Sequence, residues 1–179
     1  MTFVKLRKKT GVELSAPVPF YENMDQTNNK YSPEEIIDKL SSELTVMLNE
    51  HTAYGKGFSK VSGLEFSSTS NDERKEFAKR YYKYASHLAG SLTIMENILS
   101  GISAIIIDAD KNQQYNRILL CDEILSSYGN LKTAISSFAT QNEHLIAKDT
   151  LSVSDMLRAH AELGYKLNYF KDFLNRHHA

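Results

Sequence analysis

Two residues of the segment RYYKYASHLAGS (80–91) have side chains suited to handling a phosphate: Arg80 and His87. A guanidinium grips an oxyanion through its planar fork, and an imidazole passes a proton near neutral pH. If the segment is helical, the two lie two turns apart along one face. The remaining histidines raise metal binding, since the chain has six in all. None stands in a His-Glu-x-x-His or Glu-x-x-His pattern, so the ligand set of a di-metal bundle is missing. His160 and His177 share a stripe but sit too far apart to share an ion, and either would need His51, His87 or His144 from another helix. The expectation is histidines inside or beside a core, with no metal and no cofactor. No serine or cysteine has the surroundings of a nucleophile, and no glycine-rich loop follows a strand to cradle phosphate.

Two further groups of residues carry charge in a pattern. Asp108-Ala109-Asp110-Lys111-Asn112 opens like a calcium loop, with oxygens at alternate positions. Gln113 then stands where the loop needs glycine and Leu119 where it needs a bidentate glutamate, so a solvated turn is expected. Arg74, Lys75, Lys79, Arg80 and Lys83 crowd the start of one helical stretch, and Lys5, Arg7, Lys8 and Lys9 lie within the first nine residues. Cations near a helix N-terminus oppose its macrodipole. The five at 74–83 therefore call for partners, either Asp38, Glu43 or Glu50 on the preceding helix or an acidic or phosphate-bearing molecule, while the first nine residues read as a solvated terminus able to touch an anionic surface.

The arginine–spacer–histidine arrangement of Arg80 and His87 resembles the signature of HEPN-type ribonucleases, which are helical bundles. The resemblance implies RNA cleavage by this pair across a dimer interface. It covers those two residues alone, and Tyr81 stands where the family commonly carries a polar residue. Long helices behind a basic, apolar start also loosely resemble crescent-shaped BAR-type domains, which would imply binding to an anionic membrane.

The elements that must position these residues are helices. All three prolines (Pro17, Pro19, Pro33) lie in the first fifth of the 179-residue chain, so nothing interrupts helices after Glu34. Residues 1–31 show no helical period and read as an extended or partly disordered arm; residues 32–179 read as one domain. Ser32-Pro33-Glu34-Glu35 is a capping box with proline at the first helical position, followed by Ile36, Ile37, Leu40, Leu44, Met47 and Leu48 at helical spacing. The pattern weakens at Gly55-Lys56-Gly57, after which Phe58, Val61 and Leu64 continue it beyond a bend. Ser70-x-x-Glu73 repeats the capping box. A second stripe then runs Phe77, Tyr81, Tyr84, Leu88, Ser91, Met95, Ile98, Ile102, Ile105 in alternate steps of four and three, a coiled-coil-like seam. A third stripe uses Ile118, Cys121, Leu125, Tyr128, Ile135 and Phe138, with Leu131 beside it. The second and third helices are either parted by a turn at Asp108–Gln114 or continuous. A last helix, capped by Ser152 or Ser154, carries Val153, Met156, His160, Leu163, Leu167, Phe170, Leu174 and His177. Four such stripes bury most naturally in an antiparallel four-helix bundle, an all-α fold.

Composition narrows the function. A net charge of −1 supplies no field that would gather nucleic acid or an anionic membrane. The lone Cys121 suits a reducing, cytoplasmic compartment, and the apolar run Ile102–Ile107 is too short to span a bilayer. The leading expectation is a non-enzymatic interaction module that binds other proteins or a second copy of itself, the latter as a homodimer. The HEPN-like ribonuclease is the alternative, and membrane association the third class.

Overall fold

The computed structural model describes residues 31–59, 71–148 and 152–178. Five helical segments lie among them: α1 (Pro33–Ser59), α2 (Asn71–Leu99), α3 (Ile102–Lys111), α4 (Tyr115–Ala147) and α5 (Val153–His177). The N-terminal arm with Lys5, Arg7, Lys8 and Lys9, the second capping box at Ser70, and Val61 and Leu64 fall outside the described residues. α2 and α3 follow one another across the turn Ser100–Gly101 and form one run, so the described residues make an all-α, antiparallel four-helix bundle. α1 packs on α2 and α5, and α4 packs on α2, α3 and α5.

Histidine–carboxylate contacts mark the antiparallel order at one end. Asp38 near the start of α1 meets His178 at 2.7 Å, and Glu123 of α4 meets His177 at 3.7 Å. At the other end the last turns of α1 lie beside the first turns of α5, and Tyr81 of α2 donates to the Ala139 carbonyl of α4 at 2.9 Å.

The expected start signals are present. Ser32 Oγ accepts from the Glu35 amide at 3.2 Å while the Glu35 carboxylate accepts from the Ser32 amide at 2.7 Å. Ser152, not Ser154, caps α5 by accepting from the Asp155 amide at 3.3 Å. α1 is not interrupted at Gly55 or Gly57; it continues to Ser59, with Phe58 buried.

The stripe of α4 needs one correction. Ile124 is fully buried and Leu125 is 40 % exposed, so the inward line is Cys121, Ile124, Tyr128, Leu131, Ile135, Phe138. Its steps of three and four place Leu131 on the line rather than beside it. The run Arg74–Lys111 is also long and apolar enough, by length and composition, to cross a membrane. Tyr84, Leu88, Met95 and Ile102 of this run belong to the bundle core.

α3 and α4 are parted by a turn. The Gln113 amide donates to the Asp110 carbonyl and the Gln114 amide to the Ala109 carbonyl, which closes α3 as a Schellman motif. Gln113 sits at its left-handed position with φ 58°. An L side chain is strained there, so Gln113→Gly is expected to stabilise the fold by about 1 kcal/mol. A raised urea midpoint at unchanged m-value would register it. The Asp108–Asn112 segment is thus the end of a helix, with Asn112 Nδ2 donating back to the Asp108 carbonyl at 2.8 Å.

Candidate functional site

Arg80 and His87 both lie on the flank of α2 that faces α1, each held by a different partner. Arg80 donates from Nε to Glu76 at 3.0 Å and from Nη1 to the Gly57 carbonyl at 3.3 Å. That carbonyl is in the last turn of α1, where backbone acceptors lack helical donors, so the guanidinium caps α1. Gly57 makes room: a β-carbon there would stand 3.1 Å from Nη1. His87 Nδ1 lies 2.8 Å from Glu50 Oε2, with both side chains 40 % exposed. Between the two contacts runs an open groove of about 380 Å³, walled by Lys56, Arg80 and Lys83 and backed by Tyr54 and Tyr84.

The basic patch does not pair as expected with Asp38, Glu43 or Glu50. Lys75 pairs with Asp72 and Arg80 with Glu76, both within α2. Antiparallel packing gives the reason, since it sets the start of α2 beside the end of α1, away from Asp38 and Glu43. Glu50 is close enough, and it takes His87. Lys79 and Lys83 are exposed, while Arg74 Nε is buried without a partner among the described residues.

Behind the groove lies a layer of polar rings that sequence reasoning did not assemble. His51 of α1 and His160 of α5 stack with centroids 3.8 Å apart and planes 2° from parallel. Each ring occupies space that a side chain on the other helix would fill. A β-carbon on Gly164 would stand 2.7 Å from His51 Nε2, and one on Gly55 would stand 2.6 Å from His160 Cε1. The two helices therefore interlock through the same device read in opposite directions, His51-x-x-x-Gly55 against His160-x-x-x-Gly164. His160 Nε2 lies 3.0 Å from the His51 carbonyl, which can only accept, so that nitrogen carries a hydrogen. His51 Nδ1 lies 2.6 Å from the Tyr84 hydroxyl.

Burial first, and then the neighbouring His160, lower the His51 pKa to about 4, so the ring is neutral at pH 7. Burial likewise pushes the Tyr54 and Tyr84 phenols well above their usual range, which keeps them protonated hydrogen-bond donors. The Tyr54 hydroxyl is buried with no partner among the described residues. His177 lies at the far end, away from His160, and His144 is exposed on α4. No group of three or more potential ligands converges among the described residues. Cys121 is buried, and its thiol is pushed up to about 11, chiefly by burial.

A second, larger groove of about 640 Å³ runs between α4 and α5. Its α4 wall is built from Ser127, Asn130, Ala134, Ser137 and Gln141, and its floor from Leu131, Phe138, Leu163 and Phe170. Tyr169 stands on the rim, 54 % exposed.

Compared with known proteins, this chain matches no family model, no curated protein and no solved structure.

Proposed function

We propose that this bundle is a non-enzymatic binding module that receives one helix of a protein partner in the groove between α4 and α5. The groove itself carries the reading. Its α4 wall advances in steps of three and four from Ser127 to Gln141, a helical seam of about 21 Å at 1.5 Å per residue. The side chains on that seam are small or short, which lets another helix approach closely, and the floor beneath is apolar. Exposed Tyr169 of α5 stands on the rim and supplies an aromatic anchor of the kind that concentrates binding energy. Lys166 and Glu162 on the rim give the groove no net charge of its own, so the fitting partner is an amphipathic helix rather than a charged strand or a nucleic acid. A reducing, cytoplasmic setting accords with this reading, since the buried Cys121 is a free thiol.

Ser137 is exposed, so Ser137→Trp fills the groove without entering the core. The expected result is an unchanged helical circular dichroism spectrum with partner recovery in a quantitative pull-down reduced about tenfold or more. Equal recovery by both proteins removes the proposal. If the partner is a second copy of the chain, light scattering will give the mass of a dimer for the parent protein and of a monomer for Ser137→Trp.

A further inference from the structure

The rings of His51, Tyr54, Tyr84 and His160 lie where the apolar interior of the bundle divides in two. The main cluster, from Ile36 to Leu174, holds 24 buried residues among those described. Among the described residues the distal cluster holds five buried side chains, Phe58, Phe77, Leu145, Val153 and Met156, with Ile146 and Leu157 packed against it. Tyr54 packs against both. Among the described residues this cluster buries far less apolar surface than the main core, so of the two it is the one that opens at less cost. What holds α1 to α5 at that boundary is a titratable pair.

We propose that the His51–His160 stack is an acid-operated latch: protonating the rings parts α1 from α5 and opens the distal end of the bundle, uncovering Phe58, Phe77 and Met156 while the main core stays closed. The proposal stands apart from helix docking between α4 and α5. Two parallel imidazoles 3.8 Å apart tolerate each other when neutral and repel when charged. The surroundings offer little to offset that charge. From α1 the facing groups are Tyr54 and Glu50, and Glu50 is already bound to His87 of α2 at 2.8 Å. From α2 comes the Tyr84 hydroxyl, from α4 only the Phe138 ring against Tyr54 and Tyr84, and from α5 His160 itself. Among the described residues the histidines that meet a carboxylate are His87, His177 and His178, and none meets His51 or His160 there. Gly55 and Gly164 complete the device, because they bring the two helix backbones close enough for the rings to interlock.

The test is hydrogen exchange by mass spectrometry on the full chain at pH 7.5 and pH 5, corrected for intrinsic exchange. Protection of the distal segments 52–59, 140–147 and 153–160 is expected to fall about tenfold or more at pH 5, while segments 36–47 and 165–174 hold theirs. In the double variant His51→Gln, His160→Gln the distal segments are expected to keep one level of protection at both pH values. Equal loss along the whole chain, or an unchanged pH response in the variant, overturns the latch. If the variant does not fold, NMR on the parent protein decides: the Met156 methyl resonance must shift with the same midpoint as the His51 and His160 rings, and separate midpoints overturn it.

Discussion

Gly164→Val is expected to destabilise the bundle by about 3 kcal/mol, whereas Gly90→Ala is expected to stabilise it by about 0.5–1 kcal/mol. Both glycines sit inside helices, and helix propensity alone favours replacing either one. The difference is what a β-carbon meets. At Gly90 it meets nothing within 4 Å, so the gain in helix propensity is realised in full. At Gly164 it would stand 2.7 Å from His51 Nε2, inside the van der Waals distance. His51 cannot swing aside, because its ring is stacked on His160 and its Nδ1 is bound to Tyr84. Either the ring loses both contacts or α1 and α5 move apart, and both outcomes leave polar atoms unsatisfied at a buried site. Urea unfolding reads the two changes. Adding His51→Ala to Gly164→Val should recover at least about 1 kcal/mol by removing the obstacle, a coupling that a double-mutant cycle isolates. Strict additivity would mean that the glycine serves something other than the ring.

Much of the fold was legible in the sequence because helices advertise themselves locally. Ser32 and Glu35 are three residues apart, and no tertiary knowledge is needed to see that each satisfies the other's amide. The inward stripes of α1 and α5 were readable for the same reason, since period and amphipathic face are properties of one segment. Error entered where two apolar residues were adjacent. Ile124 and Leu125 both suit a core, and only the phase carried through Leu131 and Ile135 selects the first. The polar turn between α3 and α4 was marked by composition, but without glycine or proline it stayed open whether the chain broke there; Gln113 adopts the left-handed conformation at a cost the pattern does not reveal.

The candidate sites were less legible, because a site joins helices and sequence spacing speaks for one helix at a time. Arg80 and His87 were visible as a pair on α2, yet their geometry is set by Gly57 and Glu50 of α1. His51 and His160 were each visible as a histidine near a stripe. Their meeting depends on the antiparallel pairing of α1 with α5 and on its register. The signal that would have exposed it is the repetition of histidine and glycine four residues apart in both helices. In antiparallel helices such a pair places each ring opposite the other's gap.

Acidification through the window from pH 6.5 to pH 4 is expected to remove about 3 kcal/mol of folding stability through His51 alone. The sign follows from where protons bind. The folded ring has its pKa lowered from 6.5 to about 4, by burial first and the adjacent His160 second. Between those values the unfolded chain binds a proton that the folded chain refuses, so stability rises with pH across the window. Above pH 7 both states are neutral at this site and the dependence vanishes; below pH 4 both are charged and the penalty is complete. Each unit of pH inside the window is worth up to about 1.4 kcal/mol. Glu34 and Glu96 act in the same direction but lower down. The α1 backbone amide and Ser32 hold Glu34 below the usual carboxylate range, while Lys132 and Tyr128 do so for Glu96, so their contributions fade only as pH falls through and below about 4.5. Subtraction separates the groups: His51→Gln leaves both glutamates in place, and the difference between its urea-derived stability and that of the parent, measured at steps from pH 7.5 to pH 4, contains the imidazole alone. That difference is expected to grow by about 3 kcal/mol on acidification, in favour of the variant. A difference independent of pH would mean that His51 is solvated in the native state, and one that grows in favour of the parent would mean that it is paired with a carboxylate; either result contradicts the interlocked packing of α1 and α5.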